Sequence, residues 1–528
     1  MFIRIISLAS LVTCLCCAPA EAQSRKAPPG VFKDLDDNIL GDAVLLNGKQ
    51  LFIDDYVIEE LNGVEKVLNQ PVKHSRNPIV TADQPWEQGH SITYATVMFD
   101  EQESIFKLWY GYWIVDAKPS EQIIGYATSD DGIVWKKPIV NKQQQTNSVA
   151  TPKVVGFQAP GIFRDPVETE PARRFKMLYA AAPDGTSKTW STNAAYSPDG
   201  IDWTAEPQNP IIPFSDVQPC PFWDARRGRY VAILRWGPPN TRLITRIESE
   251  DFVHWSPKVG IFTRTKIDQP FATVHYGMRI MQYEGVYLGV LTTYHGETIQ
   301  PIPPEKEAWM DKVDTQLAFS RNGVTWMRVG KHGAIPPSEL NKDGDWKQAA
   351  EQATFIPYGE HKKDWDWGSV YVSQPPLVVG DTVRFYYAGS ATRHWASYHK
   401  DTDPRNGLGL ATLRLDGFVS VETDHAGSLT TKPLVFLGDT LVVNANADGG
   451  SLVVEALDAE GEVINGFAGG DCAPITTDGV RHVVTWKGNP DCHLLQGRPI
   501  KLRFHLKNAK LYSFEPRIQH NHYLQSYD

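Results

Sequence analysis

Three carboxylates stand shortly before stretches that the sequence predicts to be strands. They are Glu87, Asp216 and Asp366. General acid–base cleavage of a covalent bond can use two carboxyl groups on either side of the bond, one protonated by its surroundings and one ionised. We therefore predict Glu87 and Asp216 as a catalytic pair, with Asp366 as the alternate. The competing interpretation of each residue is a solvated carboxylate in a loop.

Aromatic, imidazole, guanidinium and amide groups accompany these carboxylates. Sugar rings stack on aromatic faces, and His or Arg side chains hold hydroxyl groups or a carboxylate. The alternative role for the tryptophans is packing between neighbouring sheets. No tight ligand spacing indicates a metal ion, and no cofactor is predicted. The predicted substrate-binding residues are Trp86, His90, Gln218, Arg235, His275, His295, Arg393 and His394, of which Arg235 and Arg393 suit an anionic sugar.

The elements that position these residues are marked by a recurring turn. Ser-x-Asp-Gly-x-x-Trp occurs at 129–135 and 197–203, and looser forms occur at 249–255 and 320–326. Asp-Gly and Asn-Gly supply the positive φ of a tight hairpin turn, and the Trp can pack beneath its neighbour. Each copy follows a short β-like run. A repeated unit of strands without helices is typical of propeller blades, whereas the alternative is four unrelated hairpins.

Five blade-like units are predicted, the last of them degenerate. Residues 51–58 are predicted as an N-terminal strand that completes the last blade and hides its edge. Because successive connections alternate between the two faces of a blade, we expect the ligand pocket on the face where the first strands begin. Insertions at 294–313 and 330–368 are expected to shape this pocket.

The fold class predicted from these patterns is all-β. Residues 44–424 are predicted to form a five-bladed β-propeller, and residues 425–516 a C-terminal β-sandwich used as an accessory domain. The boundary rests on a change of pattern near Gly427, where the Trp spacing stops and short alternating runs begin.

Composition and the N-terminal segment indicate where the protein acts and which partners its charge disfavours. The 528 residues carry a net charge of −10, which does not suit a nucleic-acid partner. Residues 1–22 read as a secretory signal, with Arg4 before an apolar run and Ala20-Glu21-Ala22 as a cleavage site. No other stretch is long and apolar enough to span a membrane. We therefore predict a secreted or periplasmic protein.

Removal of this signal would leave three cysteines. Cys472 and Cys492 lie in one late segment and are predicted to pair in an oxidising compartment. The alternative is two free, buried thiols. Cys220 would be left over and is interpreted as a small packed hydrophobe.

The turns, the five units and the trailing sandwich resemble the five-bladed propeller glycosidases of glycoside hydrolase families 32, 43 and 117, with the layout closest to family 32. The resemblance implies glycosidic cleavage by carboxylates at the pocket floor. The Arg-Asp-Pro motif of family 32 matches Arg164-Asp165-Pro166, but here it ends a predicted first strand, so we interpret it as structural. Pro219-Cys220-Pro221 resembles the family's Glu-Cys-Pro with the Glu replaced, and Asp216 stands three residues before Pro219.

The function predicted from the sequence is a secreted glycoside hydrolase acting on an oligo- or polysaccharide. A non-catalytic glycan-binding propeller, a sialidase-like enzyme and a glycoside phosphorylase are the alternatives, and fold class alone does not choose among them.

Overall fold

The computed structural model describes residues 39–40, 43–46, 48–87, 91–113, 121–182, 190–213, 215, 218–237, 242–296, 302–394 and 403–519. These residues form an all-β structure, as predicted, in which α1 (Trp346–Gln352) is the one α-helix described. No described helix is long and apolar enough to cross a membrane. Short 3-10 turns lie at Pro171–Arg173, Lys266–Asp268, Pro304–Lys306, Glu339–Asn341, Gly469–Asp471 and His493–Leu495. The predicted signal at 1–22 lies outside the described residues.

Short strands open the described part of the chain: β1 (Ile39–Leu40), β2 (Ala43–Leu45), β3 (Gln50–Leu51), β4 (Ile58–Asn62), β5 (Glu65–Leu68) and β6 (Val72–Lys73). The strand predicted over 51–58 is wrong, because residues 52–57 form bends. Phe52 and Val57 pack into one hydrophobic core and Ile53 into another. The segment passes between two cores, so burial alternates there without strand pairing.

Five groups of mainly antiparallel strands follow, which we call sheets one to five; the last two groups are joined with β6 in one ten-stranded sheet. Sheet one contains β7 (Ile92–Asp100), β8 (Ile105–Trp113) and β9 (Gln122–Ser129), and sheet two contains β10 (Gln158–Arg164), β11 (Phe175–Ala181), β12 (Ser191–Ser197) and β13 (Thr204–Ala205). Sheet three contains β14 (Cys220–Asp224), β15 (Arg229–Trp236), β16 (Leu243–Ser249) and β17 (Val259–Phe262). Sheet four contains β18 (Val274–Tyr283), β19 (Val286–His295), β20 (Lys312–Ser320), β21 (Met327–Gly330) and β22 (Gly333–Ile335). Sheet five contains β23 (Ser369–Val372), β24 (Leu377–Val379), β25 (Thr382–Ser390) and β26 (Asn406–Arg414).

Contacts between the first strands link these sheets in sequence order. β7 contacts β10, β10 contacts β14, and β14 contacts β18. β23 contacts β19 and β20 on one side and β7 on the other, so the contacts lead from the fifth sheet back to the first. A parallel pair, Val313 with Ser369, joins sheets four and five by hydrogen bonding. The N-terminal β6 pairs with β26 and covers the outer edge of sheet five.

The recurring turns have the predicted geometry. In the second copy the Gly200 N–H donates to Ser197 Oγ at 2.8 Å, and the Ile201 N–H donates to Asp199 Oδ1 at 2.8 Å. Gly200 has a φ of +81°, and the Trp203 indole donates to the Gly200 carbonyl at 3.0 Å. The same Ser contact to a backbone N–H recurs at Gly132, Phe252 and Gly323, each with a positive φ. In each turn at the end of a third strand, the Ser hydroxyl therefore accepts a hydrogen bond from a backbone N–H of the turn.

The C-terminal strands lie around a separate core, and all of them except Leu434–Val435, which belongs to a small sheet with β1 and β2, form one further sheet with N-terminal strands. They are β27 (Val419–Thr431), β28 (Leu434–Val435), β29 (Thr440–Asn446), β30 (Ser451–Leu457), β31 (Asp478–Val483) and β32 (Lys501–Arg517). The long β32 pairs with β27, β29 and β30, and N-terminal strands join the same sheet, because β3 pairs with β32 while β4 and β5 pair with β27. β2 runs parallel to β28.

Candidate functional site

Two of the predicted site residues, Asp216 and His90, lie outside the described residues, and the others fall into separate environments. Glu87 is fully buried beside the first sheet. Its Oε1 accepts a hydrogen bond from the Tyr110 hydroxyl, and its Oε2 lies 2.6 Å from Lys137 Nζ. Because Lys137 balances the charge of Glu87 at contact distance, the local geometry is that of a buried ion pair.

Asp366 has a similar arrangement on the fifth sheet. Its Oδ2 lies 2.6 Å from Lys73 Nζ and accepts a hydrogen bond of 2.9 Å from the Tyr387 hydroxyl. Lys73 belongs to β6, the strand that covers the edge of this sheet. Glu87 and Asp366 are therefore held by different lysines, and no described contact brings the two carboxylates together.

Trp86 and Gln218 make contacts within and between the sheets. The Trp86 indole donates to Asn147 Oδ1 at 2.8 Å. Gln218 is buried where the sheets converge: its Nε2 donates to the Pro160 carbonyl at 3.3 Å, and its Oε1 accepts from Arg279. Arg279 in turn donates to the Val372 carbonyl at 3.3 Å. Gln218 and Arg279 thus tie together parts of sheets two, three, four and five.

His275 and His295 belong to two buried polar clusters of sheet four. His275 Nε2 lies 3.1 Å from Arg328 Nη2, and Arg328 is 2.9 Å from Asp268. Burial lowers the pKa of His275, although Asp268 acts in the opposite direction. Burial opposes ionisation of Asp268, but Arg328 and His275 outweigh it and hold its pKa well below the usual range. The first cluster is therefore an internal ion pair beside a neutral imidazole.

The second cluster is centred on His295. Its Nε2 lies 2.8 Å from Asp314 Oδ1, and its Nδ1 lies 2.9 Å from Thr273 Oγ1. The sequence of hydroxyl, imidazole and carboxylate is that of a nucleophile triad. However, Thr273 is 1% exposed, so its hydroxyl offers no room for a substrate. The cluster orients the end of β19 instead.

β-Bulges mark the end of the first strands at which the ligand pocket was expected. The register shifts between Thr93 and Thr96 in β7, between Gln158 and Gly161 in β10, and between His275 and Gly277 in β18. Tyr94, Ala159 and Tyr276 lie in these bulges, the first two with φ values of +47° and +52°. Bulges re-aim side chains and are common beside functional sites, which makes this end of the sheets the candidate site.

All five sheets contribute side chains to this end, which we call the funnel. The set consists of Tyr94 and Trp113 from sheet one, Trp190 beside sheet two, Arg235 and Arg242 from or beside sheet three, Tyr276 from sheet four, and Tyr371 and His394 from or beside sheet five. The Tyr94 ring packs edge-on against Trp113 and Tyr371, at centroid distances of 6.2 and 6.3 Å. Tyr94 and Trp190 pack together on Ala159 and Ala180.

His394 lies at the centre of a chain of short polar contacts in the funnel. Its Nδ1 is 2.6 Å from the Tyr371 hydroxyl, and its Nε2 is 3.1 Å from the Tyr276 hydroxyl. Arg242 Nη1 donates to the Tyr276 hydroxyl at 2.6 Å. Tyr371, His394 and Arg242 are half-buried. The chain thus runs from a guanidinium through a phenol and an imidazole to a second phenol.

Burial and positive charge fix the protonation states in this chain. Burial, followed by the charges of Arg235 and Arg242, lowers the pKa of His394 to about 3. Burial raises the pKa of Tyr371 well above its usual value of 10. At neutral pH the imidazole is therefore uncharged and the Tyr371 phenol keeps its proton.

Two guanidinium groups flank one ring of the chain. Arg235 Cζ lies 4.7 Å and Arg242 Cζ 4.6 Å from the centroid of the Tyr276 ring. Such distances are typical of cation–π contacts, which fix the planes of both guanidinium groups beside the phenol. Arg235 is thus placed in the funnel, where the sequence predicted a substrate-binding role.

Arg393 and the insertions form one side of the funnel. Arg393 Nη2 donates to Glu307 Oε2 at 2.6 Å, and its guanidinium lies 5.2 Å from the Trp367 ring. The His394 N–H donates to the Asp311 carbonyl at 3.0 Å, and the Tyr294 hydroxyl donates to Asp311 Oδ1 at 2.7 Å. The insertions thus bind the segment that carries His394.

Sequence reasoning missed Tyr94, Trp113, Tyr371 and Arg242. A signal was present, since Tyr94, Tyr276 and Tyr371 are each the third residue of a first strand. The predicted catalytic carboxylates lie before the first strands, whereas these tyrosines lie within them. Among the residues with described positions, no group of three or more His, Cys, Asp and Glu side chains is placed to hold a metal ion.

Two further sequence features have structural environments. Asp165 accepts a hydrogen bond of 2.7 Å from Tyr230 and pairs with Lys176 at 3.0 Å, at the end of β10 away from the funnel. The Arg-Asp-Pro match therefore has a structural role.

The predicted disulfide is wrong, because Cys472 and Cys492 are free and buried. Cys472 Sγ accepts a hydrogen bond from the Val454 N–H in β30, and Cys492 lies next to the start of β29. Burial raises the pKa of both thiols, that of Cys492 to about 12.

Comparison with known proteins gave distant structural matches only. No protein-family model and no curated protein matches the chain. Solved structures similar to it include a glycoside hydrolase at 13% identity and a TM-score of 0.41, covering 67% of this chain and 92% of the other. A family 32 β-fructofuranosidase from Bombyx mori is 9% identical with a TM-score of 0.39 over 87% and 95% of the chains. An N-acetylgalactosamine deacetylase from F. plautii, in complex with blood group B trisaccharide, is 12% identical with a TM-score of 0.41 over 67% and 97%. Likeness at this level leaves the substrate and the reaction undetermined.

Proposed function

We propose that the chain is a glycoside hydrolase that binds a carbohydrate in the funnel and cleaves a glycosidic bond there. The observation that carries the proposal is the polar chain from Arg242 through Tyr276 and His394 to Tyr371. Tyr94 and Trp113 beside this chain offer aromatic surfaces for sugar rings. Stacking surfaces around a few convergent polar groups are typical of carbohydrate sites.

The architecture that we propose for this function is the five-bladed propeller with an accessory sandwich. The contacts that lead from β7 through β10 and β14 to β18, and from β19 and β20 through β23 back to β7, support the propeller. The separate core of the C-terminal strands supports the second unit. We assign residues 43–68 to the accessory unit together with the C-terminal strands, because β3, β4 and β5 pair there. Export through the segment 1–22 is part of the proposal.

The proton in this mechanism is carried by Tyr371. The Tyr276 oxygen accepts from Arg242, so its own hydrogen is directed to His394 Nε2. The neutral imidazole then donates its Nδ1 hydrogen to the Tyr371 oxygen, which leaves the Tyr371 hydrogen for a ligand. Tyr371 protonates the leaving oxygen of the glycosidic bond, and the positive charges beside the chain stabilise the phenolate that forms.

The carboxylate that completes the reaction is assigned to Asp216. In the sequence it stands four residues before Cys220, the first residue of β14. Glu87 and Asp366 are less suited to this role, because Lys137 and Lys73 neutralise them. Asp216 activates the water that attacks the anomeric carbon, as inverting hydrolysis requires.

A product screen on a panel of glycans tests this assignment. Tyr371→Phe keeps the ring and removes the hydroxyl, so we expect the turnover number to fall by about 100-fold or more with little change in KM. Asp216→Asn should have a comparable effect. Tyr512→Phe is the matched control, because it removes a hydroxyl from a buried tyrosine of β32 in the C-terminal sheet.

The outcomes separate the parts of the proposal. Full activity of Tyr371→Phe with loss in Asp216→Asn would discard the phenol and keep the hydrolase. Release of a sugar phosphate only when inorganic phosphate is supplied would identify a phosphorylase. Glycan binding without turnover in the wild type would favour the non-catalytic alternative, for which the aromatic surfaces of the funnel alone suffice.

A further inference from the structure

Arg242 has an incomplete set of partners. Its Nη1 donates to the Tyr276 hydroxyl, whereas its buried Nε has no hydrogen-bond acceptor in the structure. Among the parts of the chain with described positions, Arg242 forms no ion pair. A guanidinium carries five N–H donors in a fixed fork, so most of the donor capacity of this side chain is unused by those residues.

The position of Arg242 makes this unused capacity significant. The residue is half-buried at the start of β16, and the Tyr276 ring holds its guanidinium in place from one side. Arg235 lies against the same ring, so two positive charges face one phenol. Holding such a group partly out of water is costly unless an anion compensates it.

The lowered pKa of His394 indicates that the electrostatic potential around its imidazole is positive. After burial, the charges of Arg235 and Arg242 are the main influences that disfavour the charged imidazole. An anion that enters the funnel therefore meets a positive electrostatic potential. The N–H donors of the guanidinium groups are already held in place there, and charge-assisted hydrogen bonds are strongest in such an arrangement.

We propose that the funnel takes an anionic carbohydrate, whose carboxylate or sulfate group is bound by Arg242 with the support of Arg235. The planar fork of Arg242 presents two parallel N–H groups to two oxygens of that substituent, a geometry that Lys cannot reproduce. The sugar ring carrying the substituent stacks on Tyr94 or Trp113, which places its neighbouring linkage near Tyr371. This inference rests on the proposed function for the location of the site and adds the substrate class.

Isothermal titration of the full chain with defined oligosaccharides tests the proposal. The probes are a galacturonic acid trimer, a sulfated carrageenan tetrasaccharide, the neutral cellotetraose and inorganic phosphate alone. We expect one of the acidic probes to bind, and the better of the two identifies carboxylate or sulfate. Its affinity should fall as sodium chloride is added, because ions screen the contact.

Substitutions locate the contact. Arg242→Gln should weaken the acidic probe by about 10- to 100-fold, the loss expected for a hydrogen bond between charged groups. Arg242→Lys keeps the charge and loses the fork, and should fall between Gln and wild type. Arg229→Gln is the control, because Arg229 lies at the opposite end of β15 and pairs on the surface with Glu250. Salt dependence of the wild type provides the test if Arg242→Gln fails to fold.

Each result bears on one of the two proposals. Equal binding of neutral and acidic probes would overturn the anionic substrate, as would binding of phosphate alone. Arg242-dependent binding of an acidic probe without its cleavage would keep the recognition site and reject the hydrolase. Cleavage of neutral glycans by Arg242→Gln at the wild-type rate would keep glycosidic hydrolysis but reject both the anionic substrate and the part of Arg242 in the proton chain.

Discussion

The imidazole of His394 is held between two phenols in a positive field, and its charge has a consequence for stability. Its pKa is about 3 in the folded protein and near 6.5 for an unperturbed histidine. Between these values the unfolded chain binds the additional proton, so the free energy of unfolding should decrease as the pH falls from about 6.5 towards 3. Above 6.5 this contribution does not vary with pH.

Denaturation of wild type and His394→Gln across this pH range measures the contribution. Because the substitution removes the titrating group, we expect a shallower decline of the unfolding midpoint in His394→Gln between pH 6.5 and 4. His425→Gln, at an exposed position of β27, should retain the wild-type slope. Parallel curves for all three proteins would show that His394 titrates normally.

At the same scale, the sequence revealed candidate groups but not their partners. Glu87 and Asp366 were predicted as catalytic carboxylates, yet their partners Lys137 and Lys73 lie 50 and 293 residues away along the chain. A carboxylate with a lysine partner and one without look alike in a single sequence, since long-range pairing leaves no local pattern. Arg235 and His394 were predicted to bind substrate as members of a set of basic and aromatic residues near the expected end of the strands, and their roles stay predictions.

The turn that ends the third strand of sheet two also packs against sheet one. The Trp109 indole of β8 donates to the Gly200 carbonyl at 2.6 Å, and a Cβ at Gly200 would lie 2.5 Å from the Trp109 ring. Gly200→Ala therefore combines a left-handed backbone with a clash between sheets. We expect a loss of about 2–4 kcal/mol in the free energy of unfolding.

Gly228→Ala provides the matched control in a urea titration. Gly228 has a φ of +63° in the hairpin between β14 and β15, and nothing lies within 4 Å of an added Cβ. In this variant the loss in free energy of unfolding comes from the left-handed backbone alone, and we expect about 1 kcal/mol. If the two variants are equally destabilised, contact between the turn and Trp109 does not contribute to the joining of the sheets.

Elements were predicted better than their irregularities. The Asp-Gly turns and the strands before them follow from local chemistry, because Ser and Asp side chains satisfy the backbone within a few residues. The bulges at Tyr94 and Tyr276 arise where β7 and β18 shift register relative to the neighbouring strand. No sequence pattern within either strand predicts such a shift. These bulges position the funnel, so the site was less predictable than the fold.

For the whole molecule, the N-terminal segment belongs with the C-terminal sheet. Phe52 is fully buried in that core, with its ring 6.0 Å from Phe514 of β32. Phe52→Ala should lower the stability of the C-terminal unit by about 3–5 kcal/mol. Limited proteolysis followed by mass spectrometry should then show earlier cleavage after residue 427, and Phe99→Ala, at an exposed position, should not.

The division into units was predictable only in part. The change of pattern near Gly427 falls inside β27 (Val419–Thr431), whose earlier residue Val421 already belongs to the core of the C-terminal strands. The return of β3, β4 and β5 to that core was not predicted, because short strands with few residues carry a weak periodic signal. Residues 51–58 were instead predicted as the strand that completes the last blade, whereas in the structure Val72–Lys73 is the N-terminal strand that pairs with β26.

The central position of β32 in its sheet determines when the chain can complete its fold during synthesis. β27, β29, β30 and β3 all take hydrogen bonds from this last long strand. During synthesis the five repeated sheets emerge long before the middle strand of the final sheet, so β3 and the facing edges of β27, β29 and β30 stay unpaired until residues 501–517 emerge. A chain cut short anywhere before residue 501 presents those edges permanently, which makes the last strand a checkpoint for the integrity of the whole polypeptide.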